Sequence, residues 1–360
     1  MKETKSRNIS IDILKILSML MVIVLHTKTY GLMGVSLNPT EGIYWVVWIL
    51  YFLSIVAVNC FVLISGYFTS TSTSPFSLKK LLKLWLQVEF FSVGTYLIMC
   101  TIPNSGVEFG FGQFLVQLFP ILSNQYWFFT CYLVLIILAP FLNKFINTME
   151  QKEFKRCILI LLALFVLIPS FNIFGDSFDT SKGYSITWFI VLYLVAAYLR
   201  RYPLPKKPYG VFYIVISLLS LLNHTLLDKL NDYLLLFGQA RDILIRYNSL
   251  SVFAASVCLF LFFIQHPLKT EKASGKIISR ISAASFSVYL LHEHPVIRNI
   301  LWQNIVRLED TTSHLGLYFS RLAISVAVIF VVGVIAGLLL TTIISAGEKI
   351  ITKIAKNKGT

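Results

Sequence analysis

Long stretches without charge recur along this chain, and they leave it few ways to fold. About ten runs of roughly 20 mostly apolar residues are separated by short clusters of charge, and each run is long enough for a helix to cross the hydrocarbon core of a bilayer. They lie near 9–29, 43–66, 84–102, 126–147, 157–175, 185–200, 209–224, 248–265, 282–301 and 318–346. Inside lipid every backbone N–H and C=O needs an internal partner, and a helix supplies one for each. The expected fold is therefore all-α, a polytopic integral membrane protein of about ten transmembrane helices. Only 13% of the 360 residues are charged, about half the share in an ordinary soluble domain. The first run is long and is followed by no small-residue cleavage site, so it reads as a retained helix. FLVQLFPIL, within 103–125, reads as a short interfacial or re-entrant piece. His292, Glu293, His294 and Pro295 interrupt the ninth run, whose helix is expected to be kinked or short.

The charge is +14, and its placement argues against nucleic acid. It sits in clusters between runs, such as Lys79, Lys80 and Lys83; Lys152, Lys155 and Arg156; and Arg200 and Arg201. The alternate loops hold Glu41, Glu108, Asp176, Asp179, Asp228, Asp232, Asp242, Glu309 and Asp310. By the positive-inside rule this alternation puts both termini in the cytoplasm. No loop exceeds about two dozen residues by this reading of the spans, so one membrane domain over 1–360 is expected, with no soluble catalytic domain. The five cysteines fall in or beside apolar runs without CxxC spacing and read as packing residues. Phosphate-binding loops, HExxH and GxSxG are absent from the sequence.

Chemistry must therefore come from the helices and these modest loops. The run around 9–29 carries Asp12, Lys15 and His26, and charge inside a spanning helix costs several kcal/mol unless it is paired or used. At 100° per residue Lys15 and His26 fall about 20° apart on one face, with Asp12 about 40° to the other side and some 16 Å between Lys15 and His26 along the axis. Asp12 and Lys15 are i,i+3 neighbours and can partly neutralise each other. An imidazole near neutral pKa suits a general base on an attacking hydroxyl; the plainer reading is a histidine bonded to a neighbour at a helix end. The bundle is expected to form around this stripe.

Other motifs have two readings each. In NCFVLISGYF (59–68), Ser65 and Gly66 can let the backbone approach a ligand or another helix. Lys79, Lys80 and Lys83 make a cationic face for phosphates, or an ordinary inner anchor. Glu89 faces a cavity or pairs with a cation. Arg241, Asp242 and Arg246 bind an acidic or hydroxyl-rich acceptor or pair among themselves. His292 can line a cavity. His292 and His294 project on different sides of a helix, so no paired metal site is expected from them.

These residues resemble a known family. Arg7–Thr27 is similar to the opening span of the membrane acyltransferase-3 family, the surface polysaccharide O-acyltransferases, which carries an Arg, an Asp-x-x-Arg and a His eleven residues on. Arg7, Asp12, Lys15 and His26 stand at those places. FVLISGYF and KKLLK resemble the family's span-end and basic motifs, YWFFTCYLVLIILAPFLNKF (126–145) its Tyr/Trp-rich fourth span, and FSVYLLH (286–292) its late Tyr-Leu-x-His element. Lys15 and the lysines of KKLLK replace Arg, which keeps charge but loses fork geometry.

The resemblance implies an enzyme of the cell membrane. It takes an acyl group, acetyl foremost, from acyl-CoA on the cytoplasmic side to a hydroxyl of a surface glycan or its lipid-linked precursor, with no permanently bound cofactor. His26, Lys15 and Asp12 would be catalytic. Arg7, Ser65, Gly66, Lys79, Lys80 and Lys83 would meet acetyl-CoA. Glu89, Tyr126, Trp127, Arg241, His292 and Glu293 would face the acceptor. A lipid-linked sugar transporter is the competing reading, since many spans with intramembrane charge also suit that class. A polysaccharide polymerase would call for a larger outer loop.

Overall fold

The computed structural model describes residues 8–72, 77–172, 176, 178–234, 240–268 and 272–357, without the side chains of Lys80, 231–234, 240–242, Lys272 and 349–357. Among these residues the regular structure is entirely helical. The first run becomes α1 (Ile9–Thr29), opened by the Asn8 side chain, which accepts from the Ser10 N–H at 3.1 Å. The second run is divided into α2 (Gly42–Ser54) and α3 (Ala57–Thr69). The bend falls at Ile55 and Val56, which have near-helical backbone angles but break the ladder. Nothing but apolar residues marks this place in sequence.

Next come α4 (Leu78–Thr101), α5 (Phe111–Leu118) and α6 (Trp127–Asn147). The interfacial piece expected in 103–125 is α5, one short helix packed against α4. Ser92 of α4 donates to the Gln117 carbonyl at 2.8 Å and holds α5 there. Then follow α7 (Gln151–Leu162), a π-turn over Ala163–Leu167, and α8 (Ile168–Phe171). The remainder are α9 (Ile186–Arg201), α10 (Tyr209–Leu234), α11 (Leu250–Gln265), α12 (Lys272–His292), α13 (Pro295–Asn299) and α14 (Leu315–Asn357).

Among the described residues eight segments are long and apolar enough to cross a membrane: α1, α2 with α3, α4, α6, α7 through α8, α10, α11 with the residues just before it, and α14. The chain is thus a membrane protein built of helices. Two of the expected runs fall outside that set. α9 has only 16 residues and is buried nearly throughout. α12 carries Lys276, Arg280 and several serines. The run expected at 282–301 is corrected: its helix spans Lys272–His292 and a second begins at Pro295. Proline lacks the N–H that the interior of a helix needs but fits its first turn. His294 accepts from the Val296 N–H at 3.2 Å and caps that new start.

α1 lies at the centre, packed against α2, α3, α11, α12 and α14. The stripe expected to organise the bundle does sit on its central helix. Two close approaches need glycine. A Cβ on Gly333 of α14 would meet the Val288 Cα of α12 at 2.6 Å, and one on Gly66 of α3 would meet the Tyr193 backbone of α9 at 2.9 Å. The bundle's outside is apolar. Ile324, Val328, Val331, Ile335 and Leu339 are exposed at helical spacing along α14, as are Val211, Val215, Leu218, Leu222 and Leu226 along α10. Stripes of this kind face lipid, where apolar side chains lie in a solvent like themselves.

Candidate active site

A cavity of about 370 Å³ opens along α1, between it and α3, α4, α6 and α12. Lys15 and His26 both line it, as does Trp127 at the start of α6. The 3.6-residue period that places Lys15 and His26 on one face of α1 turns that face inward.

The His26 end is a connected polar network. Nδ1 of His26 lies 2.9 Å from Nε2 of His292 and 3.2 Å from Oε1 of Glu293. Nδ1 of His292 donates to the Val288 carbonyl at 2.5 Å. That bond decides the tautomers. His292 carries its proton on Nδ1, so its Nε2 has a lone pair and accepts from His26. His26 then carries its proton on Nδ1, and its own Nε2 is the lone-pair nitrogen. A ring nitrogen's role is set by the bond the other nitrogen makes. Tyr30 donates to Oε2 of Glu293 at 3.4 Å, Arg298 reaches the same oxygen at 3.8 Å, and its guanidinium lies 4.8 Å from the centre of the Tyr30 ring. His292 and Glu293 are buried, at 2% and 6% exposure, so their charges and lone pairs act with little screening.

Around this network the wall is aromatic. Trp127 and Tyr184 have ring centres 4.4 Å apart, Tyr184 and Tyr247 4.7 Å, and Tyr51 adds a further ring. The other end, near Lys15, is lined by Gln87, Ser282 and Ser285. Gln87 donates to Ser287 at 3.0 Å.

Several expected site residues lie elsewhere. Asp12 is buried and does not line the cavity; its two carboxylate oxygens accept from Ser279 and Ser282 at 2.7 and 2.9 Å, tying α1 to α12. Ser65 lines the cavity and bonds the Tyr132 hydroxyl at 3.0 Å. Gly66 serves helix packing against α9. Tyr126 is fully buried behind the wall and donates to the Leu290 carbonyl at 3.0 Å. Glu89 is half-buried on α4 outside the cavity, and its carboxylate has no hydrogen-bond partner among the described residues. Lys79 is exposed at the start of α4 and Lys83 is exposed one turn on. Arg7 and the side chains of Lys80 and Arg241 lie outside the described residues. Arg246 is buried and donates to the Pro169 carbonyl at 3.1 Å. His294 points away from His292 and donates to the Ser92 carbonyl at 2.9 Å.

Sequence reasoning missed Tyr30, Arg298 and the rings of Tyr184 and Tyr247. Tyr30 had a signal, since it stands four residues after His26 on the same helical face. Arg298 had one as well, a charge inside the run expected at 282–301; Tyr184 and Tyr247 had none, because they arrive from distant segments.

The family described as acyltransferase domain matches residues 8–346. No curated protein and no solved structure matches the chain. The match runs from α1 into α14 and so covers α1, α3, α4, α6 and α12, between which the cavity lies. The transporter reading is therefore set aside: the chain belongs to the acyltransferase-3 family and is a membrane acyltransferase.

Proposed function

We propose that the protein transfers an acetyl group from acetyl-CoA on the cytoplasmic side to a hydroxyl of a surface glycan or its lipid-linked precursor. In this reading 1–360 is one domain in the cell membrane. It crosses ten times, with α9 and α12 completing the eight apolar segments and both termini in the cytoplasm. The observation that carries the reading is the His26–His292–Glu293 network in the wall of a cavity that also holds Lys15.

The chemistry follows from the tautomers. The lone pair on His26 Nε2 takes the proton of the acceptor hydroxyl as its oxygen attacks the thioester carbonyl. The carbon–sulfur bond breaks, and the proton on Nε2 passes to the departing sulfur. Positive charge on His26 in the transition state is stabilised by Glu293, 3.2 Å from Nδ1. A positioned base of this kind contributes about 10²–10⁴-fold. Lys15 lies some 16 Å from His26 along α1. A lysine cannot reach across that span to the carbonyl, so its charge suits the phosphate-bearing end of the donor, joined there by Lys79, Lys80, Lys83 and Arg7. Asp12 supports Lys15's helix by fixing α1 to α12. The rings of Trp127, Tyr184 and Tyr247, with Tyr184 tilted about 50° to the other two, give an aromatic wall against which a sugar ring can lie, near His26.

The test is label transfer from acetyl-CoA into glycan, using membranes that carry wild-type protein or His26→Gln. Transfer that depends on the protein and on His26 supports both the donor and the base. Transfer that depends on the protein but not on His26 keeps the reaction and removes the base. Label that enters only from a longer acyl-CoA replaces acetyl as the group moved.

A further inference from the structure

We infer that the His26–His292–Glu293 cluster also binds one divalent transition-metal ion of the zinc type, and that an ion held there silences His26 as a base. One nitrogen of each imidazole and one carboxylate oxygen lie within 4.8 Å of one another. Two of the separations are 2.9 and 3.2 Å. Neighbouring ligands around tetrahedral zinc, with bonds of about 2.0–2.1 Å, stand about 3.3 Å apart. The three groups thus need only small movements to share an ion, and two imidazoles with a carboxylate are a donor set that zinc accepts.

A second observation points the same way. Oε1 of Glu293 is buried and makes no hydrogen bond among the described residues, although His26 Nδ1 is 3.2 Å away. A buried carboxylate oxygen without a directed donor carries a desolvation cost. A cation between it and the two rings would remove that cost. The outer partners are also in place. His292 is oriented by the Val288 carbonyl with its Nε2 lone pair aimed at the cluster, and Oε2 of Glu293 is held by Tyr30. Supporting contacts of this type fix ligand orientation in metal sites. The fourth position would open toward the cavity, which His26 and Glu293 both line. Arg298, 3.8 Å from Oε2, adds like charge and favours reversible over permanent occupancy.

The effect on His26 follows from proton balance. Without the ion, His26 holds its proton on Nδ1 and offers a lone pair at Nε2. The ion takes the Nδ1 lone pair, and the proton moves to Nε2. No proton is lost and nothing is oxidised, but the nitrogen proposed to face the substrate becomes an N–H donor and cannot accept the hydroxyl proton. The binding itself is independent of the proposed reaction; the silencing rests on His26 being its base.

The experiment uses detergent-purified protein without a polyhistidine tag, stripped with chelator. Zn²⁺ is titrated by calorimetry, and Co²⁺ is followed by its visible absorption. One ion per chain is expected, with the intense Co²⁺ bands of a four-coordinate site. Loss of a supporting contact alone costs 10–100-fold in affinity, so His292→Gln and Glu293→Gln are each expected to weaken binding at least ~100-fold. Gel filtration and circular dichroism check that both variants fold. No stoichiometric binding, or equal binding by the folded variants, overturns the site. Saturating Zn²⁺ is expected to lower acetyl transfer at least ~10-fold, the lower part of the range a general base contributes. Binding without inhibition overturns the silencing and His26 as base, and leaves the metal site standing.

Discussion

The two ends of the cavity are built differently. At the Lys15 end the wall consists of separate polar groups, Gln87, Ser282 and Ser285, and the nearby Asp12 is drawn out of the cavity by the Ser279 and Ser282 hydroxyls. At the His26 end five side chains, His26, Tyr30, His292, Glu293 and Arg298, form one connected set. Asp12 and Glu293 look alike in sequence, each an acid within or beside an apolar run. One holds two helices together and the other holds an imidazole. The difference teaches that the groups brought beside a buried acid by helix packing, and not its residue type, set what it holds. Serine hydroxyls fix Asp12, whereas a histidine pair can pass a proton.

That contrast can be broken at several points. The largest effect is expected for His26→Gln, a loss of about 10²–10⁴-fold in kcat with thermal unfolding unchanged in detergent; a kcat within a few-fold of wild type would dissolve the distinction between the ends. His292→Leu removes the acceptor that fixes the His26 tautomer, and kcat is expected to fall about 10²-fold, within the range a general base is worth, while KM for the donor holds. Arg298→Met leaves Glu293 without its cation. Breaking a buried ion pair costs about 3–5 kcal/mol, and since the Arg298 side chain is 32% exposed a smaller loss of about 1–2 kcal/mol is expected, read as a lowered unfolding midpoint. Gly333→Ala forces a Cβ against the Val288 backbone and should cost about 1–3 kcal/mol, measured the same way, with little change in donor KM. The smallest effect is expected from Lys79→Gln with Lys83→Gln. Both are exposed, and KM for acetyl-CoA should rise only several-fold because solvated charges contribute ~0.2–1 kcal/mol each. A collapse of kcat in that double variant would place chemistry at the donor end.

Much of the architecture was legible because its signals are local. α1 was expected at 9–29 and found at Ile9–Thr29, since both its length and its polar stripe lie in one stretch. The interruption at His292–Pro295 was legible, though not that a second helix starts at Pro295. The bend at Ile55 and Val56 was not, because apolar residues with no proline or glycine give no sign of a broken ladder. The site was half legible. Periodicity placed Lys15 and His26 on one face, yet it could not pair His26 with His292, 266 positions away. Nor could it tell that Gly66 approaches α9, or that Tyr126 is enclosed behind the cavity that its neighbour Trp127 lines.

The sequence by itself determined that this chain is a helical membrane protein and which face of α1 is polar. Both follow from hydropathy and from the 3.6-residue turn, which act within one segment. Only the tertiary structure decided which acid lies beside His26, which tautomer it adopts and where the aromatic wall closes. Those depend on helices far apart in sequence being packed together, and at that contact single hydrogen bonds of about 3 Å assign the protons.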